Sequence, residues 1–253
     1  MKPHEYIERE EKYGAHNYHP LPVVLDRGQG PFVWDVEGKR YYDFLSAYSA
    51  VNQGHCHPKI TAALVEQAQK LTLTSRAFFN SVLGEYEEYV TKYFGYDKVL
   101  PMNTGAEAVE TAIKTMRKWG YLVKKVEADK AEIIVFCENF HGRTTTIVSF
   151  STDPEGHDHY GPYTPGFTIV PYNDLKAVEK AITKNTVGIM VEPIQGEAGV
   201  VVPDEGFLAG LGRIAKKNNV LLAVDEIQTG FCRTGKLFAY QHEDVDPDII
   251  IMG

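Results

Sequence analysis

Apolar and polar positions follow two different rhythms along this chain, and the change falls near residue 95. Ahead of it, Val23-Val24-Leu25-Asp26-Arg27-Gly28, Phe32-Val33-Trp34-Asp35 and Arg40-Tyr41-Tyr42-Asp43-Phe44 are short strand-like runs. Gly28, Gly30 and Glu37-Gly38 supply turns between them, which predicts a β-meander over residues 23–46. Pro58 suits the first position of a helix whose Ile60, Leu64, Ala68 and Leu71 recur at helical spacing. A second helix is expected over residues 82–94. From Asp97 onward apolar runs alternate with helical patterns. Strands are predicted over residues 98–102, 132–137, 167–170, 187–191, 220–225 and 248–252, and helices over 106–123, 174–182 and 205–217. Val109, Ile113 and Met116 give the first of these helices a core-facing stripe. Strands separated by helices mean βαβ units, hence an α/β fold with a mostly parallel sheet and helices on both faces. The chain thus divides into a small α+β segment, residues 1–95, and an α/β part, residues 96–253.

Charge and composition narrow the partners. The net charge of −8 argues against nucleic acid or an anionic membrane as the main partner. Cys56, Cys137 and Cys232 are odd in number and far apart, which fits a reducing compartment better than a disulfide framework. His55-Cys56-His57 lacks the spaced second ligand pair of a zinc site and reads as a tight turn before a helix, so no metal is expected. No run approaches transmembrane length. The start, Met1-Lys2-Pro3-His4-Glu5, has no apolar h-region and no Arg-rich character, so a cytoplasmic location is expected.

Candidate chemistry gathers where strands end. In Leu221-Leu222-Ala223-Val224-Asp225-Glu226-Ile227-Gln228-Thr229-Gly230 an apolar run stops abruptly at an acid. This is the pattern of a buried parallel strand delivering a carboxylate to the carboxyl edge of the sheet, where open α/β folds bind ligands. One chemistry that needs a lone carboxylate there is that of pyridoxal phosphate enzymes, where it keeps the pyridine nitrogen protonated so that the ring acts as an electron sink. Asn103-Thr104-Gly105-Ala106-Glu107-Ala108 joins a strand to a helix; it can cradle an anion on the helix N-terminus, or be an ordinary capped junction. Asn139-Phe140-His141-Gly142-Arg143 offers an aromatic for stacking and an arginine for a carboxylate, or simply a core Phe and a surface Arg. Glu192-Pro193-Ile194-Gln195-Gly196-Glu197-Ala198-Gly199 puts two acids on a loop, open to acid–base work or to plain solvation. There is no G-x-G-x-x-G and no P-loop motif, so a dinucleotide or nucleotide triphosphate reading has no support. Each signal is weak alone; together, four strand ends each deliver one part of a site.

These same four motifs resemble those of the class III aminotransferases, pyridoxal phosphate enzymes of fold type I. Within that class, Ser49-Ala50-Val51-Asn52-Gln53-Gly54-His55-Cys56-His57-Pro58, Leu71-Thr72-Leu73-Thr74-Ser75-Arg76-Ala77-Phe78, Gly84-Glu85-Tyr86-Glu87-Glu88-Tyr89 and Glu197-Ala198-Gly199-Val200-Val201-Val202-Pro203 are most similar to the ornithine aminotransferases. The resemblance covers essentially the whole chain. It implies transfer of the δ-amino group of ornithine to 2-oxoglutarate, giving glutamate semialdehyde and glutamate, in a homodimer. The cofactor would be pyridoxal 5′-phosphate. Its phosphate would lie on Thr104, Gly105 and Ala106, and its ring between Phe140 and Ile227. Asp225 would pair with the ring nitrogen and Gln228 with the ring hydroxyl. Arg143 would bind the keto acid's carboxylate, Glu197 would mask Arg143 when ornithine is present, and Tyr18 and Tyr48 would contact the α-amino end of ornithine. Glu192 would support the site from behind.

The resemblance also implies parts not found before Gly253. The lysine that carries the cofactor would follow the strand at residues 248–252, and Lys236 is a poor substitute on the preceding loop. A further antiparallel strand, expected between the first and last of the six strands here, and a C-terminal domain would be missing as well. The expectation is the N-terminal portion of a longer transaminase, inactive as it stands. Alternatives are an acetylornithine or 4-aminobutyrate aminotransferase, or a non-catalytic fragment that binds the cofactor.

Overall fold

The structure, a computed structural model, describes residues 1–253. The chain separates into two compact units, Met1–Val99 and Leu100–Gly253.

In the first unit, α1 spans Pro3–Tyr13, opened by proline at its first turn and burying no residue. Its polar sequence carries no apolar stripe, so the periodicity did not announce it. Three short strands follow, β1 (Leu25–Gln29), β2 (Phe32–Asp35) and β3 (Arg40–Tyr42), paired antiparallel in that order. Gly30, at φ +55°, makes the turn that sets Gln29 opposite Phe32. In the second hairpin Asp35 accepts from the N–H groups of Glu37 and Lys39 at 3.0 and 2.9 Å and from the Tyr41 hydroxyl at 2.7 Å. The predicted meander is therefore present. Helices α2 (Pro58–Lys70) and α3 (Leu83–Phe94) also stand where expected. Their apolar positions are largely not covered: α2 buries none of its residues and α3 only Val90. His55 of the His-Cys-His run is held by Asp43, Nε2 to Oδ2 at 2.7 Å.

The second unit is built on a five-stranded parallel sheet. Its strands are β4 (Glu132–Phe136), β5 (Phe167–Val170), β6 (Thr186–Val191), β7 (Leu221–Asp225) and β8 (Ile249–Ile251), in spatial order β5-β4-β6-β7-β8. The helices are α4 (Gly105–Trp119), the single turns α5 (Thr145–Val148) and α6 (Pro154–His157), then α7 (Leu175–Ala181) and α8 (Phe207–Lys217). Side chains alternate across the sheet. Ile133, Val135 and Ala223 join Val109, Ala112, Ile113 and Met116 of α4 in one buried layer. Phe136 meets Phe207 of α8 edge-on at 5.7 Å, so a second layer covers the other face. The register shifts at Val187, where Glu132 opposes Thr186 but Ile133 opposes Gly188. This bulge lets Gly188 face α4, where a Cβ would lie 2.1 Å from the Met116 sulfur.

Two expectations need correction. Residues 98–102 are not a strand: no strand of the sheet pairs with them, and Leu100 stays exposed. An extended segment without a neighbour has no ladder to satisfy its backbone. The helix expected over residues 106–123 ends at Trp119 and continues as a wider π turn over Gly120–Lys124. The turn is pinned where Lys124 Nζ donates to the Thr186 carbonyl at 2.6 Å and Gly120 packs on Val187, 2.2 Å from a would-be Cβ.

Candidate active site

Three strands of the second unit end together. β7 delivers Asp225, which is buried along with almost all of its strand. Its Oδ1 accepts from its own loop, the Ile227 N–H at 3.1 Å, and its Oδ2 lies 2.7 Å from His141 Nδ1. His141 comes from the loop after β4 and is buried. That loop is locked by Asn139, whose Nδ2 donates to the carbonyls of Phe136 and Phe150 at 2.6 and 3.0 Å. Next to it Gly142 adopts φ +116°, and a Cβ there would lie 2.9 Å from the Ala106 Cβ. Only glycine lets this loop close against the start of α4.

β6 delivers Glu192, whose Oε2 accepts from the Phe140 N–H at 3.1 Å. The Tyr172 hydroxyl donates to the backbone carbonyls of Glu192 and Pro193 at 2.9 and 3.2 Å. At the far side Thr104 caps α4, accepting from the Glu107 N–H at 3.1 Å, while the Glu107 carboxylate returns to the Asn103 N–H at 2.8 Å. This reciprocal cap leaves other first-turn N–H groups, which a helix cannot satisfy itself, free to face an anion. Gly105 is obligatory here as well, since a Cβ would fall 2.7 Å from Ile227 Cδ1.

These groups line one cavity: Gly105, Ala106, Phe140, His141, Glu192, Asp225, Ile227 and Gln228 share it. The structure thus brings together most of the residues named from the sequence. Gln228 Nε2 donates to Glu197 Oε1 at 3.0 Å, and the Arg143 guanidinium lies 5.8 Å from the Phe140 ring. Tyr18 and Tyr48 are exposed residues of the first unit. No lysine is among the lining residues, and Lys236 is exposed on its loop.

Electrostatically the site is a cluster of buried ionisable groups. Burial works against a charged His141, but the Asp225 carboxylate, helped by Glu192, outweighs it and raises the imidazole's basicity. Burial pushes the Glu192 carboxyl up to about 7, against the opposing pull of His141. Glu226 is fully buried behind the site, where its carboxylate accepts from the Thr229 hydroxyl at 2.5 Å and from the N–H groups of Ala239 and Tyr240 at 3.0 and 2.8 Å. It ties the loop bearing Ile227 and Gln228 to the following turn. His141 and Glu226 went unassigned in the sequence. Asp225 and His141 are 84 positions apart, so no local spacing could join them.

The residues fit a flat, phosphorylated, nitrogen-bearing ring. Glycines let backbone approach at Gly105 and Gly142, a helix start awaits the phosphate, and a buried carboxylate ends β7. The Nε2 of His141 is buried without a hydrogen-bond partner, so the whole polar contribution of this side chain goes to Asp225.

The same conclusion comes from relatives. The family pattern Aminotransferase class-III matches residues 13–253. The mitochondrial ornithine aminotransferase of Rattus norvegicus is 61% identical over 251 residues, covering 98% of this chain and 57% of that protein. The crystal structure of ornithine aminotransferase from Toxoplasma gondii superposes with a TM-score of 0.98 at 47% identity, over 100% of this chain and 60% of that one. Acetylornithine aminotransferase from Elizabethkingia anophelis gives a TM-score of 0.88 at 58% identity, again over 100% of this chain and 60% of its own. The chain therefore spans somewhat over half the length of these relatives.

Relatives from rat, fruit fly and nematode are named as mitochondrial, which overturns the expected cytoplasmic location. That expectation leaned on unpaired cysteines and acidic charge, which mark a reducing compartment without saying which one. A reading from the first residues of a chain is blind to a leader encoded elsewhere. Class III enzymes depend on pyridoxal phosphate, and this sheet edge carries the groups such a cofactor needs. By sequence pattern, fold and site geometry, the chain belongs to the class III aminotransferases.

Proposed function

We propose that this chain is the cofactor-binding portion of an enzyme that transfers the δ-amino group of ornithine to 2-oxoglutarate, working as a homodimer. Residues 1–95 would be its lead-in segment and residues 96–253 the greater part of its large domain. The observation that carries the cofactor role is the buried Asp225, held by His141 and Ile227 at the cavity wall. The naming of relatives with 56–63% identity as ornithine aminotransferases supports the substrate.

Pyridoxal phosphate, when bound, supplies an electron sink for cleaving the bond to the substrate's proton. The chain's residues bind and orient. The N–H groups at Thr104, Gly105 and Ala106 hold the phosphate, supported by the helix dipole. Phe140 and Ile227 confine the ring, and Asp225 keeps a proton at the ring nitrogen. His141 fixes the Asp225 carboxylate in one orientation, and Gln228 presents an amide to the ring hydroxyl. Arg143 offers a bidentate guanidinium to a substrate carboxylate. No lysine lines the cavity, so residues 1–253 provide the cofactor's bed and not the amine that anchors it.

A second reading, acetylornithine as donor, is favoured by the 58% identity to the Elizabethkingia enzyme. The test is a side-by-side assay of the full-length enzyme on ornithine, acetylornithine and 4-aminobutyrate with 2-oxoglutarate. A kcat/KM at least tenfold higher for ornithine supports the first reading, and a preference for acetylornithine moves the assignment to the second.

A further inference from the structure

The cavity holds one more carboxylate than the family reading uses. Glu192 stands at the end of β6, is only 7% exposed, and lines the same wall as Asp225. The groups acting on it are His141 from the loop after β4, Asp225 from β7, Glu197 further along its own loop, and the Tyr172 hydroxyl, which bonds its backbone carbonyl. His141 is the cation among them, and its Nδ1 is already bonded to Asp225.

The charge balance of the pocket turns on Glu192. A protonated His141 and an ionised Asp225 sum to zero, which leaves nothing to balance a pyridinium buried beside them. With Glu192 ionised the cluster carries one net negative charge, matched to one ring cation. With Glu192 protonated the match is lost, and an uncompensated charge in a buried site is costly. Resting on the cofactor assignment above, we propose that Glu192 is a positioning residue of the pocket: its carboxylate is the second counter-charge for the cofactor ring nitrogen, acting through the His141–Asp225 pair, and it holds Phe140 in place through the backbone N–H. The burial that raises the Glu192 carboxyl to about 7 makes this charge adjustable near neutral pH.

The experiment uses the full-length apoenzyme and pyridoxamine 5′-phosphate, which needs no covalent bond to the protein, alongside its 1-deaza analogue, in which CH replaces the ring nitrogen. Glu192→Gln keeps an oxygen for the Phe140 N–H and removes the charge. Its affinity for pyridoxamine phosphate falls about tenfold at pH 8, and the deficit shrinks to under twofold at pH 6, where the wild-type carboxyl is protonated. With the deaza analogue the two proteins bind alike at both pH values. A merely structural role would weaken both ligands equally. Should Glu192→Gln fail to fold, the wild type still decides: its preference for the nitrogen-bearing ligand over the deaza analogue must grow as pH rises from 6 to 8, since the phosphate titrates identically in both. Equal weakening of the two ligands, or a preference that is flat with pH, overturns the role of Glu192 alone. No binding by the wild type overturns the cofactor assignment together with it.

Discussion

The carboxyl edge of the parallel sheet and the helices of the first unit carry equally clear apolar patterns, yet only one of them is buried. All six residues of β6 are buried and the last four of β7, and the polar groups that come after them are bonded into a network. In α2, by contrast, Ile60 and Leu64 sit at the intended helical spacing but are 53% and 68% exposed. Periodicity specifies the element, then, whereas burial is supplied by whatever packs on it. A parallel sheet brings its own cover, because each crossover lays a helix on it. A lead-in helix has no such guarantee.

Substitutions in the full-length protein put this contrast at risk, starting where the effect is largest, at the network itself. Asp225→Ala lowers kcat on the order of a thousandfold, about 4 kcal/mol in barrier, while part of the cofactor remains bound through its phosphate. Retention of more than a tenth of the rate in steady-state assays would contradict the assignment.

Next is the layer beneath. Gly120→Ala places a methyl 2.2 Å from Val187, a branched side chain on a fixed strand. It should cost about 1–3 kcal/mol, read as a lower urea midpoint at unchanged m-value. An unchanged midpoint would mean that the π turn yields.

A pH dependence comes third. An acid whose folded pKa is raised favours folding at low pH, and that contribution fades as pH climbs through the folded value. For Glu192 the window runs from its ordinary 4.5 to about 7. Glu192→Gln should therefore gain on the wild type as pH rises through this window, by at most about 1.4 kcal/mol per unit, and hold level above it. A difference that is flat with pH in urea titrations would show that Glu192 ionises normally.

The smallest effect lies in the first unit. Leu64→Ala should change stability by only about 0.5 kcal/mol, since little is buried there. A loss above about 2 kcal/mol would show that another surface covers α2 in the whole protein and would remove the contrast.

How far the sequence revealed the site obeys the same physics. Asp225 was legible because an apolar run breaking at an acid is a local pattern. Gly105 was legible because a strand-to-helix junction has few solutions. The partnership of Asp225 with His141 was not, because it joins two strands through the sheet and leaves no mark in local spacing. Residues 98–102 look like a strand because their composition is that of one, but a strand exists only beside another. The buried Glu226 was invisible for a similar reason: an acid in a loop reads as solvated until the turn over Ala239–His242 folds back on it.

Everything proposed for the cofactor depends on the Asp225–His141 pair keeping a proton on its ring nitrogen. That proton can be observed through the nitrogen-15 chemical shift of ring-labelled pyridoxal phosphate in the full-length holoenzyme, compared with Asp225→Asn. The account predicts a protonated nitrogen throughout pH 6 to 8 in the wild type and an unprotonated one in the variant. An unprotonated nitrogen in the wild type, or a protonated one that survives the loss of the carboxylate, would contradict it.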